Sequence, residues 1–317
     1  MRSDNFGKRA LIEHRLPGRF LLICLTAAMV TLLSLPPATF AQQEVSPEAL
    51  DEYSELKKAA KEKKIEEAVQ EDKTGTDPRA FSDKWMPFYR FTELENGLTQ
   101  QSVTAFGTLG FSPSVGMFYE VPLSVHTDFS DVAGFSGTDL ESIGMGDVNF
   151  KFLIKPKAWE FTYGKGGKKS GNVMWGTDFT FSTATDDAAG GNSFLFAPIL
   201  AVVLDMPFYG FFAALNLYYF DVFKDDSAPA TSRYVGRWFY MQPLTKPGPW
   251  YGGLFLLPEF QPVYDFETED YSSWFGLEIG KLAGEGKIAY IKPGWGIDNS
   301  EPTDRKSTFE AGFRWFF

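Results

Sequence analysis

Residues 114–125 read SVGMFYEVPLSV. Val115, Met117, Tyr119, Val121, Leu123 and Val125 alternate with Ser114, Gly116, Glu120 and Ser124. In an extended chain successive side chains point to opposite faces, so this segment predicts a strand with one apolar and one polar face. The pattern returns along the chain. Val148, Phe150, Phe152 and Ile154 oppose Asp147, Asn149, Lys151 and Lys155; Val173, Trp175, Phe179 and Phe181 oppose Gly176, Asp178, Thr180 and Ser182; Phe309, Ala311, Phe313, Trp315 and Phe317 oppose Thr308, Glu310, Gly312 and Arg314. Alternation in pieces of ~10 residues is the mark of strands that cross a membrane as a β-barrel.

A soluble sandwich would alternate in the same way. Three features favour the barrel. The chain ends on Phe317 within EAGFRWFF, which is similar to the C-terminal signal read by the machinery that inserts outer-membrane barrels; a soluble sheet rarely leaves such an adhesive edge bare. Long loops near 126–142, 185–192, 224–232, 264–270 and 298–306 alternate with turns near 111–114, 164–171, 205–209, 243–249 and 283–286, as in barrels with long outer loops and short inner turns. Charge follows the same division: Asp128, Asp131, Asp139, Asp186, Asp187, Asp225, Asp226, Glu267, Glu269 and Asp270 fall in the first set, Lys165, Lys168, Lys169 and Lys246 in the second.

Counting back from the C-terminus gives strands near 307–317, 287–297, 271–282, 250–264, 233–243, 209–223, 193–204, 172–184, 143–155, 114–125 and 99–110. Placing both ends of the barrel on one side requires an even number, so 84–92, which contains Pro87, becomes the first of about 12.

The start of the chain predicts export. Arg2, Lys8, Arg9, Arg15 and Arg19 precede an almost continuously apolar Phe20–Leu35, followed by Pro36, Pro37, Thr39 and Ala41. This reads as a signal peptide over 1–41, too short and too interrupted for a retained span. Cys24 and His14 lie within it, so the remainder has no cysteine and a single histidine, His126. The segment carries five basic and two acidic groups, which leaves a net charge of −14 on the remaining 276 residues, against −11 for the whole chain. Such an acidic chain argues against a nucleic-acid partner. Thirty-two Phe and 30 Gly suit a sheet that faces lipid and turns often. Residues 42–83 form a third region, with a helix start at Ser46–Pro47 and a stretch to about Gln70 rich in Ala, Glu and Lys; a partly helical periplasmic tether is expected, with a plug as the alternative.

Chemistry-bearing motifs are few. His126 has Thr127 and Asp128 beside it and no adjacent Ser, so no nucleophile is assigned and no catalysis is expected. GKGGKKS at 164–170 lacks phosphate-loop spacing and joins two strands, so it reads as a turn. The acidic pairs Asp186/Asp187 and Asp225/Asp226 lack the spaced ligands of a calcium loop; they suit either solvated loops or contacts with lipopolysaccharide through divalent ions. Neither metal nor cofactor is expected. The candidate site is the polar face of the strands: Glu120, Asp147, Lys151, Asp178, Arg233, Arg237, Glu259, Glu278 and Arg314, with Arg90, Lys292 and Glu310. A lipid-facing charge costs ~2–4 kcal/mol near the midplane, so these groups should point inward. They either hold a filled interior together or form a polar constriction. Phe194–Leu204 and Tyr209–Phe223 are apolar on both faces, so some of their side chains enter the lumen, under a folded-in segment or as an apolar wall for a solute.

Gly144-Met-Gly-Asp147-Val-Asn-Phe-Lys151, Thr183-Ala-Thr-Asp-Asp187 with Gly190-Gly191, Pro247-Gly-Pro-Trp250, Gly280-Lys281 and the terminal aromatic strand resemble a family of outer-membrane transporters labelled neuromedin U-like, similar to barrel proteins of the phenol meta-cleavage pathway. The resemblance spans roughly 140–317 and implies passage of small molecules, aromatic ones among them. The expectation is therefore an all-β transmembrane antiparallel barrel over 84–317 in an outer membrane, acting as a channel for small aromatic or amphipathic solutes. A poreless structural or adhesion barrel and a lipid-modifying enzyme are the alternatives.

Overall fold

The computed structural model describes residues 76–129, 132, 141–156, 158–162, 168–186, 188–207, 210–224, 230–245, 253–282, 286–299, 301 and 304–317. The expected signal peptide and the expected helical stretch before Gln70 lie outside them. No helix occurs among the described residues. The strands in chain order are β1 (Lys84–Trp85), β2 (Phe88–Leu94), β3 (Thr99–Ser112), β4 (Val115–Asp128), β5 (Glu141–Gly144), β6 (Val148–Ile154), β7 (Trp159–Thr162), β8 (Lys168–Phe181), β9 (Ser193–Asp205), β10 (Phe211–Lys224), β11 (Ser232–Pro243), β12 (Leu254–Asp265), β13 (Asp270–Leu282), β14 (Lys287–Asp298) and β15 (Arg305–Phe316).

Twelve of these close an antiparallel barrel, as the strand count predicts: β2, β3, β4, β6 and β8–β15 each pair with their neighbours. The seam is made by β15 on β2, where Glu310 faces Arg90 and Gly312 faces Phe88. The other three are accessories. β1 bridges β15 and β3, β5 extends the β4 pairing, and β7 pairs β8. Closure leaves no free sheet edge, and most barrel strands run 12–14 residues, long enough to cross a hydrocarbon core at the usual tilt, which takes ~9–11. We call the rim where β2 begins and β15 ends the lower rim.

The outer wall is apolar and exposed, with Trp175, Leu200, Ile291, Trp295 and Phe313 among its large side chains. Aromatic groups mark both rims: Trp85 stacks on Trp315 at 5.2 Å below, and Phe266 meets Tyr218 at 5.4 Å and Tyr264 at 4.8 Å above. This is the exterior of a membrane-spanning barrel.

One face assignment needs correction. The β3–β4 register shifts between Val103 and Thr104, whose partners are Ser124 and Pro122. Leu123 is thus an extra residue in β4, a bulge that exchanges the faces beyond it. Val125 turns inward, 5% exposed, and Ser124 turns out. The loop-length contrast also fails in places. Asp265 and Asp270 are paired, so residues 266–269 form a tight turn at the upper rim.

The lower half of the lumen is filled. Leu153, Met174, Ile199, Val203, Leu215, Phe239, Leu257 and Ile288 form one buried cluster with Phe81. The two strands that are apolar on both faces, β9 and β10, supply much of it. Residues 76–83 enter from the lower rim and cover it. Arg79 is held by Asp77 at 2.6 Å, Asp205 at 2.8 Å and the Ser170 hydroxyl at 3.2 Å, and Lys155 Nζ donates to the Arg79 carbonyl at 2.5 Å. Two glycines make the seat. A Cβ on Gly110 would lie 1.7 Å from the Phe81 carbonyl oxygen, and one on Gly116 would lie 2.4 Å from the Phe81 ring.

Candidate functional site

Above this apolar floor, the inward positions of successive strands carry charge, and burial forces each charge to find a partner. On β6 and β8, Lys151 Nζ lies 3.2 Å from Asp178 Oδ2, and Tyr219 from β10 donates to the same oxygen at 2.9 Å. Asn149 donates to the other Asp178 oxygen, and this aspartate is fully buried. On β11, β12 and β14, Glu259 sits between two cations, Arg237 Nε at 2.7 Å and Lys292 Nζ at 2.7 Å. On β13 and β15, Arg314 grips Glu278 with two contacts of 2.8 Å and lies 4.1 Å over the Tyr290 ring. At the seam, Arg90 donates to Glu310 at 2.8 and 3.0 Å while Tyr290 donates to its other oxygen at 2.8 Å.

These groups surround a cavity of about 310 Å³ that extends down to Thr76, Asp77 and Pro78. The volume is at the low end of ligand pockets, roughly 300–1,000 Å³. Its walls differ. Phe88, Phe106 and Phe118 make an aromatic row, with ring centroids 6.4 and 6.3 Å apart in sequence, and Leu215 and Leu217 continue the apolar surface. Arg90, Lys151, Arg237, Lys292 and Arg314 supply the charged remainder with Glu120, Glu278 and Glu310. A separate gap of about 30 Å³ at Arg90, Gln261, Trp274 and Arg305 shares lining residues with the cavity and with a vestibule of about 280 Å³ bounded by Arg233, Arg305, Asp265, Asp270, Glu301 and Asp304.

Of the residues proposed from sequence, Lys151, Asp178, Arg237, Glu259, Glu278 and Arg314 join the mid-lumen ring as described, and Glu120 faces the same cavity. Arg233 stands higher, in the vestibule, with its guanidinium 5.6 Å over the Tyr219 ring. Asp147 is not part of the ring. It precedes β6, and its carboxylate accepts the backbone N–H groups of Thr183 and Ala184 at 2.9 Å and of Gly191 at 2.7 Å, so it anchors an upper loop. That loop is held again by Asp186, whose carboxyl the Ser142 hydroxyl and the Ala188 N–H keep below its ordinary range. Arg305 was missed. It opens β15, where the sequence reads as loop, and only the closed barrel brings it over Gln261 from β12, at 3.1 Å.

His126 points outward near the upper rim with Nε2 3.2 Å from Glu141. The bulge puts Ser124 on the same outer face, yet no hydrogen bond joins Ser124 to His126 among the described residues.

No protein-family model matches this chain, and no curated protein matches it. Similar solved structures exist. The outer membrane channel of the COG4313 type from Pseudomonas putida F1 superposes with a TM-score of 0.56 at 10% identity, over 76% of this chain and 100% of that one. KdgM porin in complex with disordered oligogalacturonate gives a TM-score of 0.40 at 10% identity, over 73% and 99%. Outer membrane phospholipase A from Escherichia coli gives 0.40 at 8% identity, over 74% and 92%. At these identities, the first of them establishes a shared architecture and nothing finer: this chain has a closed antiparallel barrel fold, which it shares with that channel.

Proposed function

We propose that this chain is an outer-membrane channel for passive passage of small amphipathic molecules, aromatic ones included, and that it is not an enzyme. The observation that carries the reading is the mid-lumen cavity with an aromatic wall on one side and ion-paired arginines and lysines on the other. A passage with one greasy and one charged wall favours solutes that have both characters over hydrated ions. The likeness of the 140–317 motifs to the neuromedin U-like and phenol meta-pathway barrels points the same way. In this reading the acidic upper loops face outward towards lipopolysaccharide. The aromatic strand ending at Phe317 is the segment that the assembly machinery engages, and the lower rim is periplasmic.

In planar bilayers the purified protein should show low ion conductance that an added aromatic acid or phenol lowers further. Arg237→Ala should alter solute uptake while Lys292 keeps Glu259 compensated and the barrel folded. Large, unselective conductance indifferent to such solutes and to Arg237 would reduce the protein to a diffusion pore.

A second reading rests on Ser124, His126 and Glu141 on the outer wall near the upper rim, a serine, a histidine and a carboxylate close together in the fold. Because no nucleophile–base hydrogen bond is formed, phospholipid vesicles should show no acyl-chain release, and Ser124→Ala should change nothing. Release that this substitution abolishes would establish an enzyme instead.

A further inference from the structure

Thr76, the first described residue, does not lie at the lower mouth. With Asp77 and Pro78 it lines the mid-lumen cavity, on the same walls as Lys151, Leu217 and Arg237. From there the chain crosses the lower lumen, through Arg79 on Asp205 and Phe81 on Gly116, to Asp83, which accepts the N–H groups of Gly110 and Phe317. The residues before Thr76 therefore start from inside the barrel. Consecutive Cα atoms are ~3.8 Å apart, so Gly75 and Thr74 cannot be far from that cavity wall. The space beneath is already filled: Leu153, Met174, Val203, Leu257 and Ile288 are all 0–1% exposed. A polar stretch threaded among them would bury donors and acceptors without partners. The cavity is the space that remains.

We infer that residues 72–75 of this chain, Asp72-Lys73-Thr74-Gly75, are seated in the mid-lumen cavity as a resident plug that a solute must displace. The inference rests on the channel reading in treating the cavity as the passage, and it adds what regulates that passage. Four residues of polar chain are comparable to a small ligand, and the cavity, at about 310 Å³, is of ligand size. The composition also matches. Asp72 and Lys73 bring both signs to walls that carry both, and two wall groups are open to them. Glu120 has no hydrogen bond or ion pair among the described residues, and the Arg305 guanidinium donates to the neutral Gln261 amide oxygen at 3.1 Å. Lys73 suits the first and Asp72 the second. A plug of this kind leaves by conformational change alone, because nothing but non-covalent contacts and the chain itself holds it.

The test places pairs of thiols in the full-length chain in a Cys24→Ser background, which removes its one native cysteine. On mild oxidation Thr74→Cys should form a disulfide with Leu217→Cys or Glu120→Cys, two positions on the cavity wall, and not with Lys168→Cys on the exposed lower-rim hairpin. The closed loop is read as a mobility shift of the denatured chain that a reductant reverses, in variants whose heat-modifiable migration shows a folded barrel. In planar bilayers, deleting residues 42–75 should raise conductance several-fold. A cross-link to Lys168→Cys in place of both cavity positions would overturn the plug, as would folded protein that links to neither cavity position. Conductance unchanged by the deletion in a conducting barrel would overturn it too. Cavity cross-linking in a protein that conducts nothing, with or without residues 42–75, would leave the seat standing and remove the channel. A conducting barrel without the cavity cross-link would do the reverse.

Discussion

Glu259→Ala should destabilise the barrel by about 3–5 kcal/mol, a loss typical of breaking a buried ion pair from one side. The carboxylate is fully buried between Arg237 and Lys292, and removing it leaves two cations facing each other, with Lys292 nearly buried and only Arg237 open to the cavity. Urea unfolding of the folded barrel in lipid vesicles would read the change. Two comparisons identify the cause. Glu93→Ala removes a partner from Lys306, a pair that lies at the solvent-exposed upper rim, and should shift stability by less than ~1 kcal/mol. Glu259→Leu combined with Lys292→Met removes one cation with the carboxylate and should recover part of the loss. If Glu259→Ala were as mild as Glu93→Ala, the ring would not be what holds β11, β12 and β14 together.

Gly116→Leu should open the lower mouth and raise conductance several-fold. The Phe81 ring occupies the space a side chain at 116 would need, with an ideal Cβ only 2.4 Å away, and β4 cannot retreat because it is paired on both sides. Residues 76–83 must therefore yield. They are joined to the wall through Arg79, the Lys155 contact to the Arg79 carbonyl, and Asp83, which accepts the N–H groups of Gly110 and Phe317. Deleting residues 76–82 should have the same effect without a bulky side chain in the lumen. Wild-type conductance in both variants would show that this segment does not limit the passage, and would restore the simpler expectation of a tether.

The architecture was readable from the chain because each strand carries its own evidence. Alternation in 148–154, 168–181 and 305–316 states which face meets lipid, and the strand count follows from turns between them. What stayed hidden depends on pairing between distant strands. The bulge at Leu123 cannot be seen in β4 alone, since it exists only as a mismatch with β3. Asp147 and Asp178 look equally suited to a lumen, and only loop closure shows that the first is consumed by three backbone N–H groups. The charged face identified the ring residues as a set, but not that Glu259 would be shared by Arg237 and Lys292. Gly110 and Gly116 carry no side chain to mark their role, and only the folded barrel shows them as the seat of Phe81, which lies outside the barrel's own sheet.

The apolar lower lumen also bears on how such a chain could reach its membrane. Because β9 and β10 face lipid on one side and the Phe81 cluster on the other, residues 194–220 contain only Asp205 and Asn216 besides apolar and tyrosine side chains. To a translocation channel that scores segments for helical insertion, that run is long enough to be a stop signal at ~20 residues. Asp205 lies near its middle, followed by Pro207, and an aspartate at the centre of an inserting helix is unfavourable by about 2.5–3.5 kcal/mol. In an exported chain, the residue that fastens Arg79 in the finished barrel would thus also divide the run into two pieces too short to lodge in the inner membrane.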